Sequence, residues 1–264
     1  MATSIDVIQP PKDDEEEQPG VMQVLCDPRY RKATFIGIVL AAFNQLSGLN
    51  ALNFYSSDIF DSVLKSDDAA TIGTALTGLA QLLGVCVTPL LAKKLSLKTI
   101  LVMGTGLCTF FMTAVALFSD ELLDVPLCVL IFILCFLFCF QMSQGTFFFT
   151  YVAEVTEESG VALANFTLFT FVLMLSLFTN DLFDACGNTW PFVIFAISNL
   201  LGTIILQTTL KDITGLSKQE LRELYWPENM KSQEGSGQRQ VVKGKVYYKS
   251  PGAVSDTHMT SETD

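Results

Sequence analysis

Residues Ala41 to Ser57 read AAFNQLSGLNALNFYSS and close a run that holds no charged residue from Ala33 onward. The run is long and apolar enough to enter a lipid bilayer, yet its second half carries several carboxamides. A carboxamide that meets only acyl chains loses its hydrogen bonds, which costs several kcal/mol. We therefore expect these side chains to face hydrogen-bonding partners or a wet cleft. The polar residues of the stretch are Asn44, Gln45, Ser47, Asn50 and Asn53.

The composition of the whole chain is that of a membrane protein. Hydrophobic residues make up 50% of its 264 residues and charged residues only 16%, whereas ordinary soluble domains are about a quarter charged. Lys and Arg are absent from Thr99 through Leu210. The net charge of −11 therefore belongs to tails and loops, and the lack of a basic patch excludes a protein that binds nucleic acid.

Six uncharged runs are each long enough to form a membrane-spanning helix, which needs about 20 residues. The connections between them are short, so consecutive spans are antiparallel. The sequence therefore predicts an all-α, polytopic membrane protein with six transmembrane helices. The fourth run is long enough to tilt or to contain an irregular turn. The runs are Ala33–Ser57, Ala69–Ala92, Thr99–Ser119, Val125–Ala153, Val161–Asn180 and Gly187–Leu210.

The chain divides into four regions by composition. A cytosolic N-terminal segment, largely disordered and carrying an acidic run, precedes the six-helix bundle, and a short cytosolic helix and a disordered cytosolic tail follow it. The short helix is predicted from a capping box of Ser217 and Glu220, and it stops before Pro227. In chain order the regions are residues 1–32, 33–210, 211–228 and 229–264.

The distribution of basic residues predicts the orientation of the spans. Lys and Arg concentrate before the first span, after the second span and after the sixth span, and such loops stay in the cytoplasm. Both termini are therefore predicted to be cytoplasmic. We expect an integral protein of the plasma membrane rather than of an internal membrane.

Neutral amides in broken helices suggest the kind of ligand. Asn and Gln offer both donors and acceptors without charge, which matches the hydroxyl groups of a small neutral sugar. The first span can bring its amides together only if it breaks, most easily at Gly48, and transporters build binding sites from such helices. The alternative is that the amides only hold helices together.

The fourth and second spans add further polar candidates. Gln141, Gln144 and Phe148 share one helix face of the fourth span, where amides lie beside an aromatic ring that could pack on a sugar. Gln81 stands alone in the second span and bonds either a neighbouring helix or the ligand.

Enzymatic chemistry and resident metals find no support in the sequence. The seven cysteines lack metal-ligand spacing, and the single histidine, His258, lies in the polar tail. No nucleophile with a neighbouring base is recognisable. We expect neither catalytic activity nor a cofactor or metal.

The segment NQLSGLNALNFYSSDIF, residues 44–60, resembles the seventh helix of the sugar porters of the major facilitator superfamily. That helix carries a Gln-Gln-x-Ser-Gly-x-Asn pattern followed by Tyr. The resemblance implies that Gln45 and Asn50 contact sugar, that Asn44 stands in the place of the first Gln, and that Tyr55 matches the Tyr.

The likeness continues from about Arg29 to Trp226 and implies the C-terminal six-helix half of the major facilitator fold. Gln141 lies where glucose transporters carry a tenth-helix acid that helps bind sugar. The family's Gly-Pro-Gly-Pro after it is replaced by Ser143 to Thr146, which read SQGT.

The resemblance also implies a charge network that closes the inward gate on the cytoplasmic side. YVAEV contains Glu154, which matches the family's gate glutamate, and KDITGLSKQEL contains Asp212. Their partners would be the lysines of the loop after the second span. The alternative is that these loop charges remain unpaired. The predicted gating residues are Glu154, Asp212, Lys93, Lys94 and Lys98.

The family's site lies between two six-helix halves, and one half would leave it open on one side. The expected function is transport of a hexose by alternating access, by a half-transporter or a truncated transporter. Facilitated uniport is favoured over proton symport because the spans hold no central acid. The expected partners are a neutral sugar, the lipid bilayer and a second six-helix half, either a second copy or a separate chain. The alternative is a non-transporting membrane sensor or accessory half.

Overall fold

Helices account for nearly all of the described chain. The computed structural model describes residues 18–53, 69–119, 125–187 and 189–231, together with the backbone of two short strands. The helices are α1 (Val21–Cys26), α2 (Pro28–Gln45), α3 (residues 49–53), α4 (Ala69–Ala92), α5 (Leu97–Phe118), α6 (Pro126–Phe140), a π-helical segment (Gln141–Gly145), α7 (Thr146–Val155), α8 (Glu158–Cys186), α9 (Trp190–Thr209) and α10 (Lys218–Arg222).

Six of the resulting helical spans are long and apolar enough to cross a membrane, as the sequence predicted. They are Pro28–Asn53, Thr71–Ala92, Leu97–Phe118, Leu127–Val155, Glu158–Cys186 and Trp190–Thr209. Since consecutive spans are joined at alternate ends, residues 18–32, the α4–α5 and α7–α8 connections and residues 211–231 share one end of the bundle. We call this the polar end.

The first span begins earlier than the sequence predicted. Asp27 caps α2 by accepting a hydrogen bond from the backbone N–H of Arg29 at 2.9 Å, and Pro28 occupies the first helical position. The predicted boundary at residue 33 therefore lies inside a helix. Residues 21–26, expected to be disordered, form α1, whose Val24 is fully buried. The acidic run lies outside the described residues.

The C-terminal part also departs in detail from the prediction. The capping box of Ser217 and Glu220 is present, and α10 ends at Arg222, before Pro227, as predicted. In the tail predicted to be disordered, Gln240–Val242 pairs with Lys245–Tyr247 as two antiparallel strands. Both strands contain valine, a residue with strong β propensity.

The described residues form a buried interior of two apolar clusters at different depths. The cluster nearer the polar end is built by α2, α5, α7, α8 and the end of α9, and includes Ile36, Leu40, Leu101, Tyr151 and Leu206. The far cluster is built by α3, α5, α6 and the start of α9, and includes Leu52, Met112, Ile133, Phe136 and Phe195.

A buried polar layer separates the two clusters. On each of four spans the polar residues lie between the stretches that feed the two clusters. They lie near mid-span, the depth at which many secondary transporters form binding sites from broken helices. We call this the polar layer. It contains Asn44, Gln45, Ser47, Thr105, Ser143, Gln144 and Asn199.

The first span breaks at Gly48, as the sequence predicted. α2 ends at Gln45 and a turn leads into α3, with Gly48 at a φ of +89°, a conformation that favours glycine. A methyl group at this position would also meet the ring of Phe195 at 2.7 Å and Met112 at 2.9 Å. Both backbone conformation and packing therefore require glycine at the break.

The fourth span contains the irregular turn that its length suggested. Gln141–Gly145 is π-helical and lies between α6 and α7, the kind of defect that is frequent at functional sites. Two glycines allow neighbouring helices to pack directly on it: Gly84 of α4 faces the backbone near Met142, and Gly104 of α5 faces Ser143. Close packing through small residues is the usual way in which membrane helices associate.

Candidate functional site

A chain of hydrogen bonds joins the polar residues at the two helix irregularities. Asn50 Nδ2 donates to Gln45 Oε1 at 2.8 Å, and Gln45 Nε2 donates to Asn44 Oδ1 at 3.2 Å. Asn44 Nδ2 then reaches Gln144 of the π-helical segment, at 3.3 Å from its backbone oxygen and 3.5 Å from Oε1. Gln144 Nε2 finally donates to Thr105 Oγ1 at 2.7 Å. We call these five residues the amide chain.

The amide chain runs from the surface of the bundle into its interior. Asn50 at one end is half-buried, whereas Gln45 is 6% exposed and Gln144 is 2% exposed. Each of these three amides has hydrogen-bonding capacity beyond the bonds of the amide chain, because a carboxamide has two N–H donors and an oxygen with two lone pairs. The chain can therefore both hold helices together and bond a hydroxylated ligand at its outer end.

The backbone of the break is satisfied by polar side chains. Ser47 Oγ donates to the carbonyl oxygen of Asn44 at 2.7 Å, and Asn199 Nδ2 of α9 donates to the carbonyl oxygen of Ser47 at 2.8 Å. Within a membrane such partners are necessary because water cannot replace the lost helical bonds. The break in the first span is thus stabilised by a hydrogen bond from α9.

Five residues of this layer are not among the ligand residues predicted from the sequence. Gln144 is predicted only as part of a helix face and Ser47 only as a polar residue of the first span, whereas Thr105, Ser143 and Asn199 carry no predicted role in ligand binding. Asn199 could have been found, since it is a carboxamide in an otherwise apolar stretch, FAISNLLG. Thr105 could not, because threonines in membrane helices commonly satisfy their hydroxyl locally, as this one also does with the carbonyl of Leu101 at 2.7 Å.

The remaining predicted ligand residues lie beside the layer rather than in the amide chain. Gln141 is half-buried in the π-helical segment, with its amide folded over Gly145 and its Cβ next to Gly84 of α4. Gln81 is half-buried three residues before Gly84. Tyr55 lies outside the described residues. Their contact with sugar stays a prediction, as it does for Asn44, Gln45 and Asn50.

The structure arranges the charges of the polar end differently from the predicted gate. Arg222 Nε lies 3.4 Å from Glu157 Oε1, so the glutamate in this ion pair is Glu157 and not Glu154. Glu154 is exposed and lines a cavity of about 440 Å³ together with Glu157, Arg222 and Arg29. None of the three ion pairs found among residues 18–53, 69–119, 125–187 and 189–231 includes a predicted gating residue.

Asp212 lies close to one of its predicted partners. Its carboxylate accepts from Thr214 N at 3.0 Å and Thr214 Oγ1 at 2.7 Å. Partial burial raises the pKa of Asp212, but the hydrogen bonds from Thr214 and Ser96 and the charge of Lys98 outweigh it and bring the pKa below its usual value. Lys93 and Lys94 are exposed after the end of α4. A gating role for all five residues stays a prediction.

A tyrosine pair fastens the C-terminal segment to the polar end. The hydroxyl groups of Tyr151 and Tyr225 lie 2.6 Å apart, and the backbone N–H of Lys211 donates to them at 3.1 and 3.0 Å. Nearby, Trp226 packs edge-on against Tyr30 with 6.1 Å between ring centroids, and Arg29 lies over the Trp226 ring. Residues at the start of the first span and residues after the sixth span thus pack together at the polar end.

Comparison with known protein families identifies the family of this chain. The sequence model of the sugar (and other) transporter family matches residues 5–225. The chain belongs to this family. The resemblance read from the first-span motif is therefore confirmed, and the protein is an integral, multi-pass membrane protein.

Proteins similar to this chain include transporters from bacteria and mammals. The chain is 27% identical over 220 residues to the arabinose-proton symporter of Bacillus subtilis (strain 168), covering 79% of this chain and 46% of that protein. It is 29% identical over 194 residues to solute carrier family 2, facilitated glucose transporter member 3, of Oryctolagus cuniculus, covering 69% and 38%. The chain thus spans about half the length, or less, of these relatives.

Solved structures identify the fold of the family member. A double-Trp mutant of XylE superposes with a TM-score of 0.68 at 18% identity, over 74% of this chain and 43% of that one. XylE, a major facilitator superfamily proton:xylose symporter, bound to 6-bromo-6-deoxy-D-glucose, superposes with a TM-score of 0.65 at the same identity. The six spans therefore have the fold of half a major facilitator transporter, as predicted.

Proposed function

We propose that the chain carries a monosaccharide, a hexose, across the membrane by alternating access, working with a second six-helix half. Membership of the family and the names of the relatives, which include an arabinose symporter and a facilitated glucose transporter, support sugar as the substrate class. The observation that carries the proposal is the buried layer of neutral amides at the break of the first span.

The amide chain is suited to a ligand that both donates and accepts hydrogen bonds. The half-buried Asn50 ends the chain, and the half-buried Gln141 lies on the neighbouring span next to the Gln144 link. A sugar hydroxyl can bond the unused N–H and lone-pair positions of these amides without a charge being desolvated. A charged ligand would lack a counter-charge among the described residues of the polar layer, which are all neutral.

The distribution of acids supports uniport over proton symport. In the described parts of the six spans, every Asp and Glu lies within the first or last two turns, namely Glu154, Glu158, Asp181 and Asp184. Proton-coupled transporters use ionisable groups deep in the membrane, and Gln141 stands near mid-span as a neutral amide. Facilitated uniport follows as the mechanism that the described residues of this half support.

The burial of the spans supports a second half. In the most apolar 18-residue stretch of each span, 50 to 56% of the first, third and fourth spans is buried inside the bundle. The corresponding share is only 17% for the second span and 11% for the fifth. A six-helix half alone therefore leaves α4 and α8 largely uncovered. A second bundle, either another copy or a separate chain, would cover part of this surface and close the sugar site on its open side.

We place both termini in the cytoplasm and the protein in the plasma membrane. The polar end carries Arg29, Lys93, Lys94 and Lys211, and basic loops remain on the cytoplasmic side. Closure of the inward gate would then involve the charges of the polar end, with Glu154, Asp212 and the three loop lysines as the predicted members.

Uptake and binding assays on the purified full chain test the proposal. In proteoliposomes, labelled hexose should accumulate to the outside concentration and no further, and a protonophore should leave the initial rate unchanged. Uptake that exceeds equilibrium and collapses with the protonophore would contradict uniport. Sugar binding without uptake by the chain alone would indicate that a separate second half is needed.

A matched pair of amide variants tests the site. Asn50→Ala removes the half-buried end of the amide chain and should weaken hexose binding about 10-fold, the equivalent of about one to two hydrogen bonds. Asn180→Ala removes an exposed amide of α8 and should leave binding unchanged. Equal affinities of the two variants, or absence of hexose binding by the parent chain, would refute the site.

A further inference from the structure

An apolar groove runs along the outside of the bundle between α2 and α9. It has a volume of about 320 Å³ and is lined by Phe35, Val39 and Phe43 on α2 and by Ile205 and Thr209 on α9, among others. Phe35 is 64% exposed. In a membrane protein such a surface meets lipid, so the groove is a place for an acyl chain.

The groove has a closed inner end and an open end at the polar end of the bundle. At the inner end Phe43 packs directly on Gly202 of α9, where an added methyl group would lie 3.2 Å from its ring. From Phe35 to Phe43 the helix rises about 12 Å. One leaflet of the hydrocarbon core is about 15 Å thick, so the groove accommodates most of one acyl chain.

Positive charge surrounds the open end of the groove. Lys211 directly follows Leu210, a lining residue, and Lys32 lies one turn before the lining residue Ile36. Both lysines are exposed. Lys231 also lies near, although it forms an ion pair with Glu228 at 2.6 Å. Lys32 and Lys211 thus place two ammonium-bearing side chains next to the lining residues at this end of the groove.

The closeness of these lysines has an electrostatic effect. Partial burial, followed by the charges of Lys231 and Lys32, lowers the pKa of Lys211, while Glu228 acts in the opposite direction. Lys211 Nζ itself donates to the carbonyl oxygen of Leu224 at 2.9 Å, which holds the ammonium group in place. A bound anion between the lysines would relieve their repulsion.

We propose that this groove binds one anionic phospholipid, with an acyl chain along α2 and α9 and the headgroup phosphate between Lys32 and Lys211. Basic pockets between membrane helices are known to bind anionic headgroups. The site is separate from the polar layer and does not depend on sugar transport.

Native mass spectrometry of the full chain, released from nanodiscs with equal amounts of phosphatidylcholine and phosphatidylglycerol of the same acyl chains, tests the proposal. The parent chain should retain phosphatidylglycerol in preference. In the double variant Lys32→Gln/Lys211→Gln this preference should fall roughly 25-fold, since each lysine near a membrane surface contributes about a 5-fold attraction.

Two further variants separate the groove from general charge. The double variant Lys94→Gln/Lys218→Gln removes the same charge from exposed positions elsewhere and should keep the parent's preference. Val39→Trp fills the groove and should reduce phosphatidylglycerol retention, whereas Ile194→Trp, at an exposed position of α9 away from the groove, should not.

Three results would overturn the proposal. These are an unchanged preference in Lys32→Gln/Lys211→Gln, an equal loss in Lys94→Gln/Lys218→Gln, and full retention in Val39→Trp. The charge variants alter only exposed side chains, so their result stands even where the tryptophan variant fails to fold, and equal unfolding temperatures of parent and charge variants exclude a loss of structure.

Discussion

The hydrogen bond between Gln144 and Thr105 should couple the fourth span to the third by a measurable energy. Gln144→Met keeps the size of a side chain that is 2% exposed but removes the donor to Thr105 Oγ1 and the Oε1 acceptor for Asn44. Asn44 retains the backbone oxygen of residue 144 at 3.3 Å, and the Thr105 hydroxyl retains the carbonyl of Leu101. No group is left without a partner, so we expect a loss of about 1–2 kcal/mol in the free energy of unfolding.

The reverse substitution has a different consequence. Thr105→Val keeps the shape of the side chain but deprives Gln144 Nε2 of its 2.7 Å acceptor in a nearly solvent-free site. Leaving a buried donor unsatisfied costs about 1–3 kcal/mol. The double variant should lose less than the sum of the single losses. The coupling energy should be about 0.6 kcal/mol, the average for hydrogen bonds between membrane helices, and at most about 1.7 kcal/mol.

Reversible unfolding in mixed micelles with increasing sodium dodecyl sulfate measures all four proteins of this cycle. A double variant whose loss equals the sum of the single losses within about 0.3 kcal/mol would refute the coupling. A loss above about 4 kcal/mol in Gln144→Met would also refute the reasoning, because it would mean that buried groups had lost their last partners.

Three further predictions test other parts of the fold. Gly104→Ala should destabilise the bundle by about 1–3 kcal/mol because the added methyl group overlaps the π-helical segment. The control Gly78→Ala has open space around it and should be neutral or slightly stabilising. Unfolding in detergent measures the free energies of unfolding of both variants. Tyr225→Phe should cost about 1–2 kcal/mol by removing the hydroxyl bonds of the tyrosine pair, and faster proteolysis within residues 211–231 reports it. Asp212→Asn should lower the free energy of unfolding at pH 7 by less than about 1 kcal/mol, measured by thermal unfolding. Folding lowers the pKa of this carboxyl. Its stabilising contribution is therefore present at neutral pH and disappears in the parent as the pH falls below about 4.

The first span shows which features of the site can be predicted from local sequence and which cannot. The break at Gly48 was predictable because glycine is the residue that adopts a positive φ at low cost, and the polar residues around it marked where a regular helix in lipid would be unfavourable. The partners of Asn44 and Gln45 were not predictable. Gln144 lies 100 positions away in the chain, and its approach depends on the π-helical turn and on the rotation of the fourth span.

The polar end shows the same limit for charges. The motif directed attention to Glu154, yet the ion pair of Arg222 is with Glu157. The two glutamates are three residues apart, one in α7 and the other just before α8. The chain bends between them, and Glu157 meets Arg222 while Glu154 stays exposed on the same cavity. Which of two nearby carboxylates meets an arginine is set by that bend and by the docking of α10.

The sequence by itself determined the class of protein, the six spans, the break of the first span and the cap of α10, because hydrophobic length, glycine freedom and capping are properties of neighbouring residues. Only the tertiary structure decided which amides form the amide chain, which glutamate pairs with Arg222 and that lysines far apart in sequence meet at one groove. These choices depend on how the helices rotate and pack, through contacts such as Gly104 on Ser143, which no local pattern encodes.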